Sequence, residues 1–158
     1  MSMELKNREL QDGILVMMKL MNNFPFKFKY LDYDCMIIYN DGFYNGYVAL
    51  TEDDKWYGKE YDDIDINVHG GLTFSSFGND HLDRCNENGQ NLYWIGFDCM
   101  HYGDYDEVFS LHSKCNKSPE YIVNEIFEMV HQIIEVKLQQ AHSKNINRRI
   151  TILEDNDE

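Results

Sequence analysis

Two short stretches of this 158-residue chain place acids and imidazoles next to glycines, and both have the pattern of a strand that ends at a histidine. The first covers 61–74 and the second covers 93–104. Together they supply six acid or imidazole side chains: Asp63, Asp65, His69, Asp98, His101 and Asp104. Such groups at strand ends can bind a metal ion or act as a general acid and base. The sequence therefore predicts a functional site where the two stretches end.

Four of these residues form the candidate catalytic set: His69, Asp98, His101 and Asp104. Two imidazoles and two carboxylates could bind Zn²⁺ or Mn²⁺ in a mixed nitrogen and oxygen shell, or could supply an acid and a base. The spacing of the last three, Asp-x-x-His-x-x-Asp, matches no established metal motif. The structural alternative is a hydrogen-bonded network that fixes the turn after the strand. Both alternatives stay open, and a divalent metal is the one cofactor that these residues suggest.

A phosphate-binding role is predicted for the sequence His-Gly-Gly-Leu-Thr at 69–73. Gly70 and Gly71 could let backbone amides approach an anion, or could instead form a bulge that bends a sheet. Backbone amides just after Pro119 could also hold a compact phosphate. The other predicted ligand-binding residues are a threonine and two aromatic side chains that could stack on a base: Thr73, Trp94 and Tyr102.

Hydrophobic periodicity predicts an α+β fold, in which a mostly antiparallel sheet packs against a long C-terminal helix and an N-terminal helix is added. The two helices are predicted over 4–22 and 119–143. The strands are predicted near 26–39, 45–50, 63–74 and 92–99. The turn signal Asn40-Asp-Gly42 makes 35–50 a hairpin, and the polar region 75–91 is predicted to be an irregular loop.

The alternation of apolar and polar residues is clearest in 63–69. Ile64, Ile66 and Val68 share the face that the C-terminal helix is predicted to cover. Asp63 and Asp65 share the other face, where they could bind a divalent cation; a solvated strand face is the alternative. At the level of the whole chain, 1–150 is predicted to be a single domain and 151–158 an acidic, frayed tail.

The charge of the chain limits its partners. Lysine and arginine number 14 against 28 aspartates and glutamates, which gives a formal net charge of −14 at pH 7. Such a chain repels phosphate backbones, so general nucleic-acid binding is not expected. No apolar run reaches the roughly 18 residues that a bilayer span needs, so no membrane insertion is expected. The four scattered cysteines are typical of reduced thiols in a cytosol.

Several motifs in fixed order resemble a family of small tailed-phage proteins. They are Tyr61-Asp-Asp-Ile-Asp65, Val68-His-Gly-Gly-Leu-Thr-Phe74, Trp94-Ile-Gly-Phe-Asp98 and His101-Tyr-Gly-Asp104. The resemblance covers about residues 26–135. It implies a phage origin and expression in the host cytoplasm, and it implies no particular reaction. This chain differs from the family in its N-terminal helix and its C-terminal extension, both of which could serve assembly into a homo-oligomer.

Three functions of different class fit these features. The first is a phage counter-defence protein for immune evasion, which binds and sequesters a host-made nucleotide immune signal. The second is a metal-dependent phosphodiesterase or related hydrolase that acts on such a nucleotide with the candidate catalytic set. The third is an acidic protein inhibitor of a host nuclease, of the anti-CRISPR or anti-restriction type. The first is the function that we expect, with a small nucleotide as the partner; the third would require a host protein as the partner.

Overall fold

A computed structural model of the protein describes residues 2–20, 23–101 and 116–157. The helices are α1 (Met3–Lys19) and α2 (Pro119–Asn156), and the strands are β1 (Phe26–Tyr30), β2 (Tyr33–Asn40), β3 (Phe43–Leu50), β4 (Phe74–Phe77) and β5 (Tyr93–Asp98). The five strands form one sheet in the order β1-β2-β3-β5-β4, in which every neighbouring pair is antiparallel. The predicted α+β fold is confirmed.

Two tight hairpins connect the first three strands. Asn40 pairs with Phe43 across the second hairpin, and the two residues between them, Asp41 and Gly42, have φ values of 51° and 92°. Positive φ at both central residues is the geometry of a type I′ turn, which matches the twist of the flanking strands. The hairpin predicted over 35–50 is therefore confirmed.

Helix α2 covers one face of the sheet. Its buried side chains Ile122, Ile126 and Val130 have no exposed surface and pack in one hydrophobic core with residues from the sheet. Ile64, Ile66 and Val68 belong to the same core, as predicted. The first turn of α2 begins at Pro119, after Ser118, whose hydroxyl accepts a hydrogen bond from the Tyr121 amide.

The segment 64–68 alternates between buried and exposed residues as predicted, but it is not a strand. Its hydrogen bonds go to a helix: the Asn67 amide donates to the Gln132 side chain, and Gln132 donates back to the Asn67 carbonyl, both at 2.8 Å. The preceding Tyr61–Asp63 is a single 3₁₀ turn. The prediction of a strand over 63–74 is therefore wrong before residue 74. Alternating burial shows only which side chains are covered and does not require a sheet, and here the covering element is a helix.

Helix α1 ends at Lys19 and not at 22 as predicted, and two further element boundaries differ from the prediction. Strand β4 takes in Ser75, Ser76 and Phe77, which were assigned to an irregular loop. Helix α2 does not end at 143 but continues to Asn156, through most of the range assigned to a frayed tail. Residues 141–157 are exposed throughout. Among the described residues, no helix combines the length and the apolar character needed to cross a membrane.

Candidate functional site

The end of β5 and the turn after Val68 bring three of the predicted catalytic residues together. The imidazole centroids of His69 and His101 are 6.1 Å apart, and His101 Nε2 lies 3.4 Å from Asp98 Oδ1. The predicted proximity of these three side chains is confirmed. The fourth candidate, Asp104, and the predicted stacking residue Tyr102 lie outside the described residues.

Helix α2 holds His69 through two of its own side chains. His69 Nδ1 is 2.8 Å from the Tyr121 hydroxyl oxygen, and the His69 amide donates to Glu125 Oε2 at 3.0 Å. Tyr121 and Glu125 are four residues apart and so lie on the same face of the helix. Neither residue was predicted from the sequence. The available signal was their helical spacing, since Tyr121, Glu125 and Gln132 form a polar stripe beside the buried one.

A tight turn places the two imidazoles. The Gly71 amide donates to the Val68 carbonyl at 2.9 Å, and Gly70, the third residue of this turn, has a φ of +67°. A Cβ at Gly70 would lie 2.3 Å from His101 Nε2, so any side chain there would require the His101 ring to move. The glycine is needed both for the backbone conformation and for the space that the His101 ring occupies. We call His69, His101, Asp98 and Tyr121, gathered around this turn, the histidine site.

Backbone hydrogen bonds exclude the bulge that was the structural alternative at Gly70 and Gly71, and they limit the predicted binding of phosphate by backbone amides. Gly70 and Gly71 do not form a bulge, because the segment is not part of the sheet. The Gly71 amide is already used within the turn, so it cannot also bind an anion. At the start of α2, the Tyr121 and Ile122 amides both donate to Ser118, so these two cannot hold a phosphate as predicted. The amides of Gly71, Tyr121 and Ile122 are therefore already used within the fold.

Asp98 orients His101 and is itself fixed by the backbone. Its Oδ1 accepts a hydrogen bond from the Met100 amide at 3.0 Å and faces the His101 ring. The side chains keep 27% (Asp98) and 38% (His101) of their surface exposed, although the His101 Nε2 atom that faces Asp98 is itself buried. A carboxylate beside an imidazole favours one orientation of the ring. The exposed edge of the His101 ring can contact a ligand.

Two other predicted ligand-binding residues do not join this site. Trp94 is only 2% exposed, and its ring nitrogen donates to the Asp83 carbonyl at 2.8 Å. It packs in a second hydrophobic cluster with Met36 and Leu82, on the sheet face away from α2. A buried ring has no free face on which a base could stack, so the predicted role of Trp94 is wrong. Thr73 is exposed and continues the pairing of β4, since its amide donates to the Gly96 carbonyl.

The predicted metal residues are not gathered into a site. Asp63 ends the 3₁₀ turn and Asp65 lies in the extended segment after it, and both are exposed. Over residues 2–20, 23–101 and 116–157, no group of three or more histidine, cysteine, aspartate or glutamate side chains has an arrangement that could hold a metal ion.

The positive end of α2 lies beside the histidine site. Lys117 Nζ is 5.5 Å from the centroid of the Tyr121 ring, in the range of a cation–π contact. The helix dipole adds partial positive charge at the same place. Fold and site together define a class of protein: an antiparallel sheet covered by one long helix, with paired imidazoles at the sheet end nearest the start of that helix. No family model, no curated protein and no solved structure matches this chain.

Proposed function

We propose that the histidine site binds the phosphate of a small nucleotide, and that the protein is a phage counter-defence protein that sequesters a host-made nucleotide immune signal. The observation that carries the binding is the pair of imidazoles with centroids 6.1 Å apart, each held by a separate partner. A phosphate between two such rings can accept a hydrogen bond from each. The phage setting rests on the resemblance of the motifs.

The charges around the site favour a compact phosphate over a long polyanion. Lys117 and the start of α2 attract an anion locally. Among the residues that the structure describes, two carboxylates at the site accept hydrogen bonds from backbone amides, Asp98 from Met100 and Glu125 from His69. The whole chain nevertheless carries −14, which repels a nucleic-acid backbone. A small nucleotide bound in the site contacts the local positive charge and stays away from most of the negative charge of the chain.

Isothermal titration calorimetry against cyclic dinucleotides, cyclic ADP-ribose isomers and inorganic phosphate tests this proposal. We expect one nucleotide to bind. His101→Ala should weaken its affinity by about 10- to 100-fold, because one charge-assisted hydrogen bond contributes about 1.5–3 kcal/mol. The matched control is His142→Ala, which removes an exposed imidazole from the distant half of α2. Binding by none of these compounds, or binding that His69→Ala and His101→Ala leave unchanged, would overturn the proposal.

A hydrolase is the second candidate, because the site pairs a carboxylate–imidazole couple with an imidazole–phenol couple. His101, oriented by Asp98, could take a proton from water as its oxygen attacks phosphorus, while His69 gives a proton to the departing oxygen. Chromatography of the nucleotide recovered from the complex distinguishes the two candidate functions. An unchanged nucleotide favours sequestration. Turnover that Asp98→Asn abolishes favours the hydrolase, and a requirement for added Mn²⁺ or Zn²⁺ would identify its metal-dependent form.

A further inference from the structure

One face of α2 continues from the sheet-packed half of the helix into the half that extends beyond the sheet. Its residues recur every three or four positions, from Asn124 through Leu138 to Leu153. The apolar members are exposed, by 54% at Leu138, 43% at Ile146, 48% at Ile150 and 65% at Leu153. The extended half is rich in asparagine and β-branched residues, which are poor helix formers. Most helical stability in proteins comes from packing of an apolar face, and 141–157 is exposed throughout.

The first half of the same face borders a groove. Helices α1 and α2 enclose a volume of about 750 Å³, with Ile14, Met17 and Phe127 among its apolar lining. Leu10 and Met18, on the α1 side, are 64% and 74% exposed. The molecule therefore carries two unfilled apolar surfaces, a concave one between the helices and a convex one on the extended half of α2.

We propose that a second copy of this chain fills the groove. The two α2 helices pack antiparallel and cross near Leu138, so that the extended half of each lies in the groove of the other. Ile146, Ile150 and Leu153 are spaced i, i+4 and i+7, which is the spacing of an amphipathic helix that docks into a groove. This arrangement is closed by a two-fold axis and covers both surfaces at once.

The charges of α2 support an antiparallel pairing. Residues 119–136 contain four acidic residues and no lysine or arginine, whereas 137–153 contain four lysines and arginines and no acidic residue. An antiparallel pair places the acidic half of each helix against the basic half of the other, and a parallel pair places like charges together.

The register follows from the crossing point. If Leu138 lies opposite Gln139 of the second copy, then Glu128 lies opposite Arg149, and Glu135 lies opposite His142. His131, at the edge of the groove, then lies opposite Ile146. The apolar anchors and the Glu128–Arg149 charge pair fit one register, which is the strongest reason to choose a second copy as the occupant. This inference does not depend on the proposed nucleotide binding.

Sedimentation velocity of the full chain over a range of concentrations tests the inference. We expect a dimer, with twice the 18.8 kDa mass of the chain. Ile150→Asp should yield the monomer, and circular dichroism would show that it remains folded, since Ile150 is half exposed in the single chain. A wild-type chain that stays monomeric at every concentration would overturn the proposal.

Two neighbouring arginines provide a matched comparison. Arg149→Glu places a glutamate opposite Glu128 and should raise the dimer dissociation constant by about tenfold or more. Arg148→Glu makes the same charge change at a position rotated by about 100° about the helix axis, outside the shared face. This substitution should change the dimer dissociation constant little. Adding Glu128→Arg to Arg149→Glu exchanges the two charges and should restore the dimer. Equal effects of the two single substitutions would contradict the register.

Cysteine substitution tests the direction of the pairing. Leu138→Cys lies near the two-fold axis and should form a disulfide between copies under mild oxidation. Residue 153 lies far from the two-fold axis in an antiparallel pair, so Leu153→Cys should not form a disulfide between copies. A disulfide between copies through residue 153 would show a parallel pair and overturn the proposed arrangement.

Discussion

Replacing Gly70 by alanine separates the two reasons for a glycine at this position. The φ of +67° lies in the left-handed region, which costs an L residue roughly 1–2 kcal/mol. The added Cβ would also lie 2.3 Å from His101 Nε2. That nitrogen is at the end of a rotatable side chain that is 38% exposed, so the ring should move and the backbone should not. We expect a loss of about 1–2 kcal/mol, a fall in melting temperature of about 2–8 °C, and displacement of the His101 ring from Asp98.

Gly71→Ala is the matched control for this prediction. Gly71 has a similar φ of +80°, but a Cβ there would meet nothing within 4 Å. Urea denaturation should show similar losses of unfolding free energy in the two variants. NMR of the imidazole resonances should show a shifted His101 ring in Gly70→Ala alone, and nucleotide affinity should fall in that variant alone. Equal shifts of the His101 resonances in both variants, or a markedly larger loss of stability in Gly70→Ala, would refute the expectation that the His101 ring moves while the backbone stays in place.

Three further predictions concern stability. The buried Asp54 carboxylate accepts hydrogen bonds from the Tyr33 hydroxyl at 2.7 Å and from a backbone amide, so Asp54→Ala should cost about 2–4 kcal/mol in urea denaturation; a loss below about 1 kcal/mol would contradict this. Burial raises the pKa of the Tyr30 and Tyr33 phenols above the ordinary value of 10.0. Because the folded state resists their ionisation, stability should be unaffected by these groups below about pH 10 and fall above it by about 1.4 kcal/mol per pH unit for each phenol. Urea titrations from pH 8 to 11 should show this slope and a smaller one in Tyr33→Phe. Gln132→Ala removes both bonds to Asn67 and should cost about 1–3 kcal/mol, whereas a melting temperature equal to that of the wild type would show that these bonds contribute nothing.

Much of the sheet could be predicted because its signals are local. The Asn40-Asp-Gly42 turn carries its own conformational preference, and the strands on either side alternate in the expected way. These features depend on a few neighbouring residues. The proximity of His69 to Asp98 and His101 was also predicted, but from two strands that end at one sheet edge, whereas His69 is held there by α2.

The remaining features depend on packing between distant segments. Tyr121 and Glu125 belong to a polar stripe whose helical spacing is visible in the sequence, but the sequence does not show that this stripe meets His69. Trp94 was taken for a stacking residue because the sequence does not show that Leu82 and its neighbours cover the second face of the sheet. The end of α2 was placed too early because Ser143 and Asn145 are weak helix formers, although no proline or glycine follows to stop the helix.

The attachment of 64–69 makes the two sides of the histidine site depend on different elements. Side chains of α2 bind the backbone of this segment at Asn67 and His69, and no sheet ladder includes it. Ile64, Ile66 and Val68 also anchor the segment in the core, so it cannot leave the helix without exposing them. A change in the packing of α2 would therefore displace His69, whereas Asp98 at the end of β5 is held by the sheet.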